Sequence, residues 1–214
     1  MISSKTLCLY AVTDRTWLGD RSLKECVQAA IDGGATLLQV REKHMDKNKY
    51  IEETRELKAV AQAAGIPIIV DDAVDVALAA DADGVHIGQS DGDAAAIRKH
   101  IGADKILGVS ARTVEQALKA QEDGADYLGV GAAFGSSTKE DARAIDHTVL
   151  KAICDAVDIP VVAIGGIDEN NIERLAGTGV DGVAVISALF AKEDIREAAA
   201  RLRKKSEAMV KQHG

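Results

Sequence analysis

Gly124-Ala125-Asp126-Tyr127-Leu128-Gly129-Val130 joins a helix stop, a tight turn and a short apolar run, and the same punctuation recurs along the chain. Gly33-Gly34-Ala35, Ala82-Asp83-Gly84 and Val180-Asp181-Gly182 each precede another run rich in Val, Ile or Leu. Outward from these points, strand-like runs stand at Leu7 to Val12, Thr36 to Val40, Pro67 to Val70, Gly84 to Ile87, Lys105 to Val109, Tyr127 to Val130, Pro160 to Ile164 and Gly182 to Ile186. They are continuous in apolar residues, as strands buried on both faces should be. Between them, segments such as Ser22 to Gly33, Asp46 to Gly65, Thr113 to Gly124 and His147 to Val157 carry apolar residues at three-to-four spacing, and several end on glycine. Strand and helix alternating eight times within 214 residues predict an α/β fold, a single (β/α)8 barrel of the TIM type over residues 1–214, rather than an open doubly wound sheet.

With 47% hydrophobic residues the chain suits one domain with a substantial core, and no composition shift or low-complexity linker marks a boundary. No apolar stretch approaches the ~20 residues that span a bilayer, and Met1 to Asp14 lacks a secretory pattern, so no membrane partner is expected. Cys8, Cys26 and Cys154 are widely separated and form no paired metal-ligand motif, which reads as reduced packing residues and a cytoplasmic location. A formal charge of -8 and an aromatic content of 3% argue against a nucleic-acid surface. Any anion is therefore bound locally.

A parallel barrel gathers its strand ends on one face, and polar residues there are the functional candidates. The second strand ends in Gln39-Val40-Arg41-Glu42-Lys43, where alternation sends Gln39, Arg41 and Lys43 to one side and Val40 and Glu42 to the other. The third ends in Asp71-Asp72, and the fourth continues through His86-Ile87-Gly88-Gln89-Ser90-Asp91. Asp72 and Asp91 could share a hard cation such as Mg2+, which keeps water and substrate phosphate as its other ligands, or each could cap a following helix. His86 reads as a satisfied packing histidine, because no second His or Cys stands at zinc-ligand spacing. The sixth strand runs into Gly131-Ala132-Ala133-Phe134-Gly135-Ser136-Ser137-Thr138-Lys139, whose small residues, hydroxyls and lysine suit a phosphate, although the order is not that of a P-loop.

Ile164-Gly165-Gly166-Ile167 leads toward a helix expected near Asp168 or Glu169, and Val185-Ile186-Ser187-Ala188 toward a short apolar turn with a helix from near Lys192. Loops after the seventh and eighth strands are the usual phosphate site of barrel enzymes. No nucleophile elbow, dinucleotide fingerprint or paired-cysteine framework is present. Two anion regions, one with a metal, imply two phosphorylated small-molecule substrates or one doubly phosphorylated, acted on by positioning and charge stabilisation.

Leu9-Tyr10-Ala11-Val12-Thr13-Asp14, Gln39 to Lys43, Asp83-Gly84-Val85-His86-Ile87-Gly88-Gln89-Ser90-Asp91, Gly108-Val109-Ser110-Ala111, Phe134 to Lys139 and Ala163 to Ile167 together resemble the thiamine phosphate synthase family over nearly the whole chain. The resemblance implies a Mg2+-dependent transfer in which a hydroxymethylpyrimidine diphosphate loses pyrophosphate and a thiazole phosphate nitrogen attacks the methylene carbon, by a dissociative route. It assigns Gln39, Val40, Arg41, Glu42, Lys43, Asp71, Ser110 and Lys139 to the pyrimidine diphosphate, with Arg41, Lys43, Ser110 and Lys139 catalytic, and Asp72 and Asp91 to Mg2+. Ser136, Ser137, Thr138, Gly166, Ile186 and Ser187 would hold the thiazole phosphate, and a homodimer is a family-level expectation.

Two departures stand out. Asp71 replaces the family's usual Asn, and Ser136 and Ser137 stand where Thr and Pro are common. A relative that only binds phosphate, such as a thiazole tautomerase or regulator, would have no use for Arg41, Lys43, Asp72, Asp91 and Lys139 together. A sugar-phosphate epimerase or decarboxylase would want a further strand-end acid-base pair, for which Asp14 is the obvious candidate.

Overall fold

The computed structural model describes residues 2–135 and 144–210. Eight parallel strands close into a barrel in chain order: β1 (Leu9–Val12), β2 (Leu37–Val40), β3 (Ile68–Asp71), β4 (Gly84–Ile87), β5 (Ile106–Ala111), β6 (Tyr127–Gly131), β7 (Val161–Ile164) and β8 (Gly182–Val185). Helices α2 (Leu23–Asp32), α3 (Lys47–Ala63), α4 (Val74–Ala79), α5 (Ala94–Ile101), α6 (Val114–Glu122), α7 (His147–Ala156) and α9 (Ile195–Val210) surround it. This is the (β/α)8 barrel that the strand–helix repetition predicts. Outward residues such as Leu9, Ala11, Leu38 and Val40 join the helices in the main core, while Tyr10, Val12, Leu37, Ile69, Tyr127 and Val162 fill the barrel interior.

Several element ends differ from the sequence reading for identifiable reasons. Ser3 caps a short helix, α1 (Ser4–Leu7), so β1 begins at Leu9, and Ile2 and Leu7 close the lower end of the interior cluster. Pro67 and Pro160 lack an amide and contribute only carbonyls, accepting from Leu38 (3.2 Å) and Leu128 (2.9 Å), so β3 and β7 start one residue later. No helix begins at Asp168 or Glu169. There the Asp168 carboxylate accepts the Asn170 amide at 2.7 Å and the Asn171 side chain accepts the Asp168 amide at 2.9 Å, and these local bonds leave only a 3₁₀ turn at Ile172–Leu175. The apolar turn after β8 is itself helical, α8 (Ser187–Phe190), and α9 starts at Ile195 rather than Lys192.

The punctuation before the even-numbered strands has a common purpose. Asp83 accepts the Ile68 amide at 2.8 Å, Asp126 that of Leu107 at 2.8 Å, and Asp181 that of Val161 at 2.9 Å, while Thr36 Oγ1 accepts the Leu9 amide at 2.8 Å. In return the backbone amides of Asp83, Asp126, Asp181 and Thr36 donate to the carbonyls of those same four residues. Each clasp satisfies both backbone groups at the start of an odd-numbered strand, deep in the barrel floor where water would otherwise be needed. Asp83→Ala leaves the buried Ile68 amide without its acceptor and should cost about 1–3 kcal/mol, lowering Tm by roughly 5 °C. Thermal unfolding followed by circular dichroism checks this, and kcat should stay at the wild-type value because the change is at the floor, not the mouth.

Candidate active site

The strand ends meet in a cleft over the barrel axis, walled among others by Gln39, Arg41, Asp71, Asp72, Ser110 and Ile186. β2 delivers its three alternating side chains as expected. Gln39 points into the interior and is buried, Arg41 lies at the rim of the cleft, and Lys43 extends outward, 38% exposed at its side chain. Val40 and Glu42 face the other way. The Val40 side chain sits in the core between barrel and helices and its carbonyl accepts from Tyr50 Oη at 2.7 Å, while Glu42 bonds Arg15 at 2.6 Å. Neither side chain lines this cleft, although Glu42 lines the adjoining cavity together with Arg41 and Lys43.

Two cations and three carboxylates hold one another at the mouth. Lys43 Nζ lies 3.0 Å from Asp71 and also bonds Asp72, and Arg41 lies 3.6 Å from both Asp71 and Asp14. Burial disfavours the Lys43 charge, but bonds to Asp72 and Asp71 outweigh it and hold its pKa above the ordinary lysine value. Arg41 Nε is buried with no hydrogen-bond partner among the described residues, a donor left over in a site otherwise tightly paired.

Neither metal candidate caps a helix. The cap residue of α4 is Ala73, without a side-chain bond, and α5 is capped by Asp93. Asp72 instead adopts a left-handed backbone, φ 58°, which a residue with a Cβ takes only at a cost, and its carboxylate meets an ammonium group. Asp91 Oδ2 accepts the Gly88 amide at 2.7 Å, which folds the loop after β4 back on itself beside the cleft. Among the described residues no group of three or more His, Cys, Asp or Glu could hold a metal unaided. Two carboxylates at neighbouring strand ends, one already facing a cation, do fit Mg2+, which takes most of its ligands from water and substrate phosphate.

After β7, Gly165 and Gly166 have φ values of 100° and 65°, and a Cβ at Gly166 would lie 2.7 Å from the Gly135 carbonyl. The loop after β6 is thus packed onto the β7 glycines, with Phe134 donating to the Gly165 carbonyl at 3.0 Å. Ile186 and Ser187 stand half-buried at the start of α8. Ser136, Ser137, Thr138 and Lys139 lie outside the described residues. Asp14 is engaged structurally: it accepts the Thr16 amide at 2.7 Å and caps a 3₁₀ turn at Arg15–Trp17, so it is not the free acid-base group that the epimerase reading wants.

His86 is buried and bonded through both ring nitrogens, to Tyr127 and Ser110, each at 2.9 Å, in agreement with a packing histidine. Tyr10 and Tyr127, which join it inside the barrel, were not identified from the sequence. Their signal was available in strand parity: in β1 and β6 each lies on the inward side, and Gly108 and Gly129, inward on β5 and β6, leave the room. A Cβ at Gly108 would fall 2.4 Å from His86 Nδ1 and 2.3 Å from Tyr127 Cζ.

A family model described as thiamine monophosphate synthase matches residues 9–189. The chain belongs to the thiamine monophosphate synthase family. A thiamine-phosphate synthase of Clostridium tetani is 52% identical over 194 residues, covering 91% of this chain and 93% of the relative. One from Chloroflexus aurantiacus is 51% identical over 196 residues, 91% of this chain and 90% of the relative. The solved thiamine phosphate pyrophosphorylase of Pyrococcus furiosus superposes with a TM-score of 0.89 at 41% identity, covering 96% of this chain and 98% of that one. At 18% identity and a TM-score of 0.69, a geranylgeranylglyceryl phosphate synthase of Thermoplasma acidophilum shares the barrel alone. The family membership agrees with the six motifs of the sequence.

Behind the mouth, burial and a hydrogen bond shared with Glu53 push Glu42 up to about 7 from the ordinary 4.5, against the opposing pull of Arg15. Because the folded state holds this proton more tightly than the unfolded chain, the stabilisation is complete below pH 4.5 and is lost as pH rises through about 7. Tm of the wild type should fall by roughly 5 °C between about pH 5 and pH 8. Glu42→Gln should flatten that profile, as measured by scanning calorimetry at each pH.

Proposed function

We propose that the whole chain forms one catalytic domain that joins a hydroxymethylpyrimidine diphosphate to a thiazole phosphate, releasing pyrophosphate and giving thiamine phosphate. The observation that carries this reading is the meeting of Arg41, Lys43, Asp71 and Asp72 at the mouth of a barrel of this family. Arg41 and Lys43 would take the diphosphate, with Lys139 as a further cation and Gln39 and Ser110 as polar neighbours. Asp72 and Asp91 would hold Mg2+, which supplies charge neutralisation of the diphosphate when bound. Gly166, Ile186 and Ser187 would receive the thiazole phosphate on the side of the cleft where Phe134 and Gly135 pack on the β7 glycines, with Ser136, Ser137 and Thr138, which lie outside the described residues, as further partners.

In this reaction the methylene C–O bond breaks, its electron pair leaves with pyrophosphate, and the thiazole nitrogen lone pair closes the new C–N bond. No proton needs to be removed before attack, in keeping with a mouth lined by cations and donors. The protein's work is then to orient two anions and to stabilise the charge that develops on the departing one. The free cysteines suit a reducing compartment, and a cytoplasmic place is part of the proposal. No helix of the described residues is long and apolar enough to cross a membrane. Homodimer formation, the remaining family expectation, is decided by sedimentation.

Purified protein with both substrates should form thiamine phosphate and pyrophosphate in equal amounts, and a chelator should abolish both. Binding of thiazole phosphate by calorimetry without product would move the chain to a tautomerase or regulatory relative. Lys139→Ala should lower kcat about 100- to 1000-fold, the usual effect of removing one charge-stabilising donor. Asp71 and Asp72 share Lys43, so Asp71→Asn should loosen that cation for the diphosphate and lower its KM about 3- to 10-fold, the scale of one exposed ion pair. A raised KM would mean that the carboxylate orients Lys43 for the ligand instead.

A further inference from the structure

A single file of hydrogen bonds crosses the barrel interior beneath the cleft. Gln39 Nε2 donates to Tyr10 Oη at 2.6 Å, Tyr10 Oη lies 2.8 Å from Tyr127 Oη, Tyr127 Oη lies 2.9 Å from His86 Nδ1, and His86 Nε2 lies 2.9 Å from Ser110 Oγ. Four strands contribute to it besides β2, and its two ends, Gln39 and Ser110, both open onto the cleft.

The direction of the file follows from proton counting. A phenol has one proton to give. Tyr10 accepts from the Gln39 amide, so its own proton goes to Tyr127. Tyr127 then gives its proton to His86 Nδ1. An imidazole that accepts at Nδ1 is neutral and carries its proton on Nε2, where it donates to Ser110 Oγ. The Ser110 hydroxyl, having accepted, keeps its own proton for the cleft.

The two phenols of the file are closed off from solvent. Tyr10 and Tyr127 are 1% and 0% exposed, which leaves water little room to break the bond between the two phenols. Burial pushes both phenols well above the ordinary tyrosine range, which keeps their protons in place. Tyr127 stacks edge-on to Tyr10 with ring centroids 5.9 Å apart and lies 5.5 Å from the His86 ring. Gly108 and Gly129 clear the space the histidine and tyrosine occupy, since a Cβ at Gly129 would come within 2.9 Å of His86 Cε1. The interior is shaped around these rings.

We propose that Gln39, Tyr10, Tyr127 and His86 are positioning residues that fix the Nε2-protonated form of His86 and thereby present the Ser110 hydroxyl as a donor to the pyrimidine diphosphate. The identity of that ligand rests on the reading above; the tautomer does not. A serine proton aimed at the cleft meets the growing negative charge of departing pyrophosphate, whereas the reversed file would aim lone pairs at it and oppose departure.

Nitrogen-15 NMR of uniformly labelled, ligand-free protein at neutral pH reads the histidine ring directly, with His86 assigned by the signals lost in His86→Gln. The expected pattern is a neutral ring protonated at Nε2. A ring protonated at Nδ1, or an imidazolium, would overturn the proposal whether or not any variant folds. Tyr127→Phe removes the donor to Nδ1; it should mix the two tautomers in the spectrum and lower kcat about tenfold, with KM for thiazole phosphate unchanged. An unchanged tautomer and kcat in Tyr127→Phe would also overturn it. If the wild type made no thiamine phosphate while His86 showed the expected ring, the functional reading alone would fail. A working synthase with His86 protonated at Nδ1 would sink the relay alone.

Discussion

A polar side chain at the foot of each even-numbered strand, taking an amide at the start of the strand before it, is the contact on which this barrel depends. Strands buried on both faces have no water to satisfy their ends, and a parallel sheet has no hairpin to tie them. Thr36, Asp83, Asp126 and Asp181 supply that closure, and with the floor fixed the register of each strand determines where its upper residue emerges. The placement of Gln39, Asp71, His86 and Ser110 around one axis is a consequence of those registers.

At the mouth the protein keeps its cations neutralised with its own carboxylates. Arg41 and Lys43 would repel one another across an empty cleft, and Asp14, Asp71 and Asp72 hold them in extended positions. Under the proposed function an arriving diphosphate would compete for partners already in place. The entropy of ordering two long side chains would then be met in folding rather than in binding, a gain set against the competition from Asp71. The same arrangement would let a strongly acidic protein hold an anion locally.

The repeated apolar runs made the barrel legible, because continuous burial on both faces leaves no other place for them. The strand-end residues were legible by parity, and Gln39, Arg41 and Lys43 emerged on the side that alternation requires. What the sequence could not show was how side chains compete. Asp72 and Asp91 look like helix caps by position, yet one turns to Lys43 and the other to the Gly88 amide. The segment from Asp168 has helical composition, but Asp168 and Asn171 bind its backbone first. Tyr10 and Tyr127 look like ordinary core aromatics, and only closure of β1 and β6 into one barrel brings their hydroxyls within 2.8 Å.

The floor clasps also show that the barrel counts in twos. Thr36 joins β2 to β1, Asp83 joins β4 to β3, Asp126 joins β6 to β5 and Asp181 joins β8 to β7. Each clasp is local to one strand–helix–strand segment, so the molecule is an assembly of four such segments with plainer seams between them. A circularly permuted chain opened at the exposed Gly65, in a seam, keeps every segment continuous. Opened at Asp81, between β3 and β4, the same sequence must close one clasp between its two ends, at the full loop-entropy cost of the intervening chain.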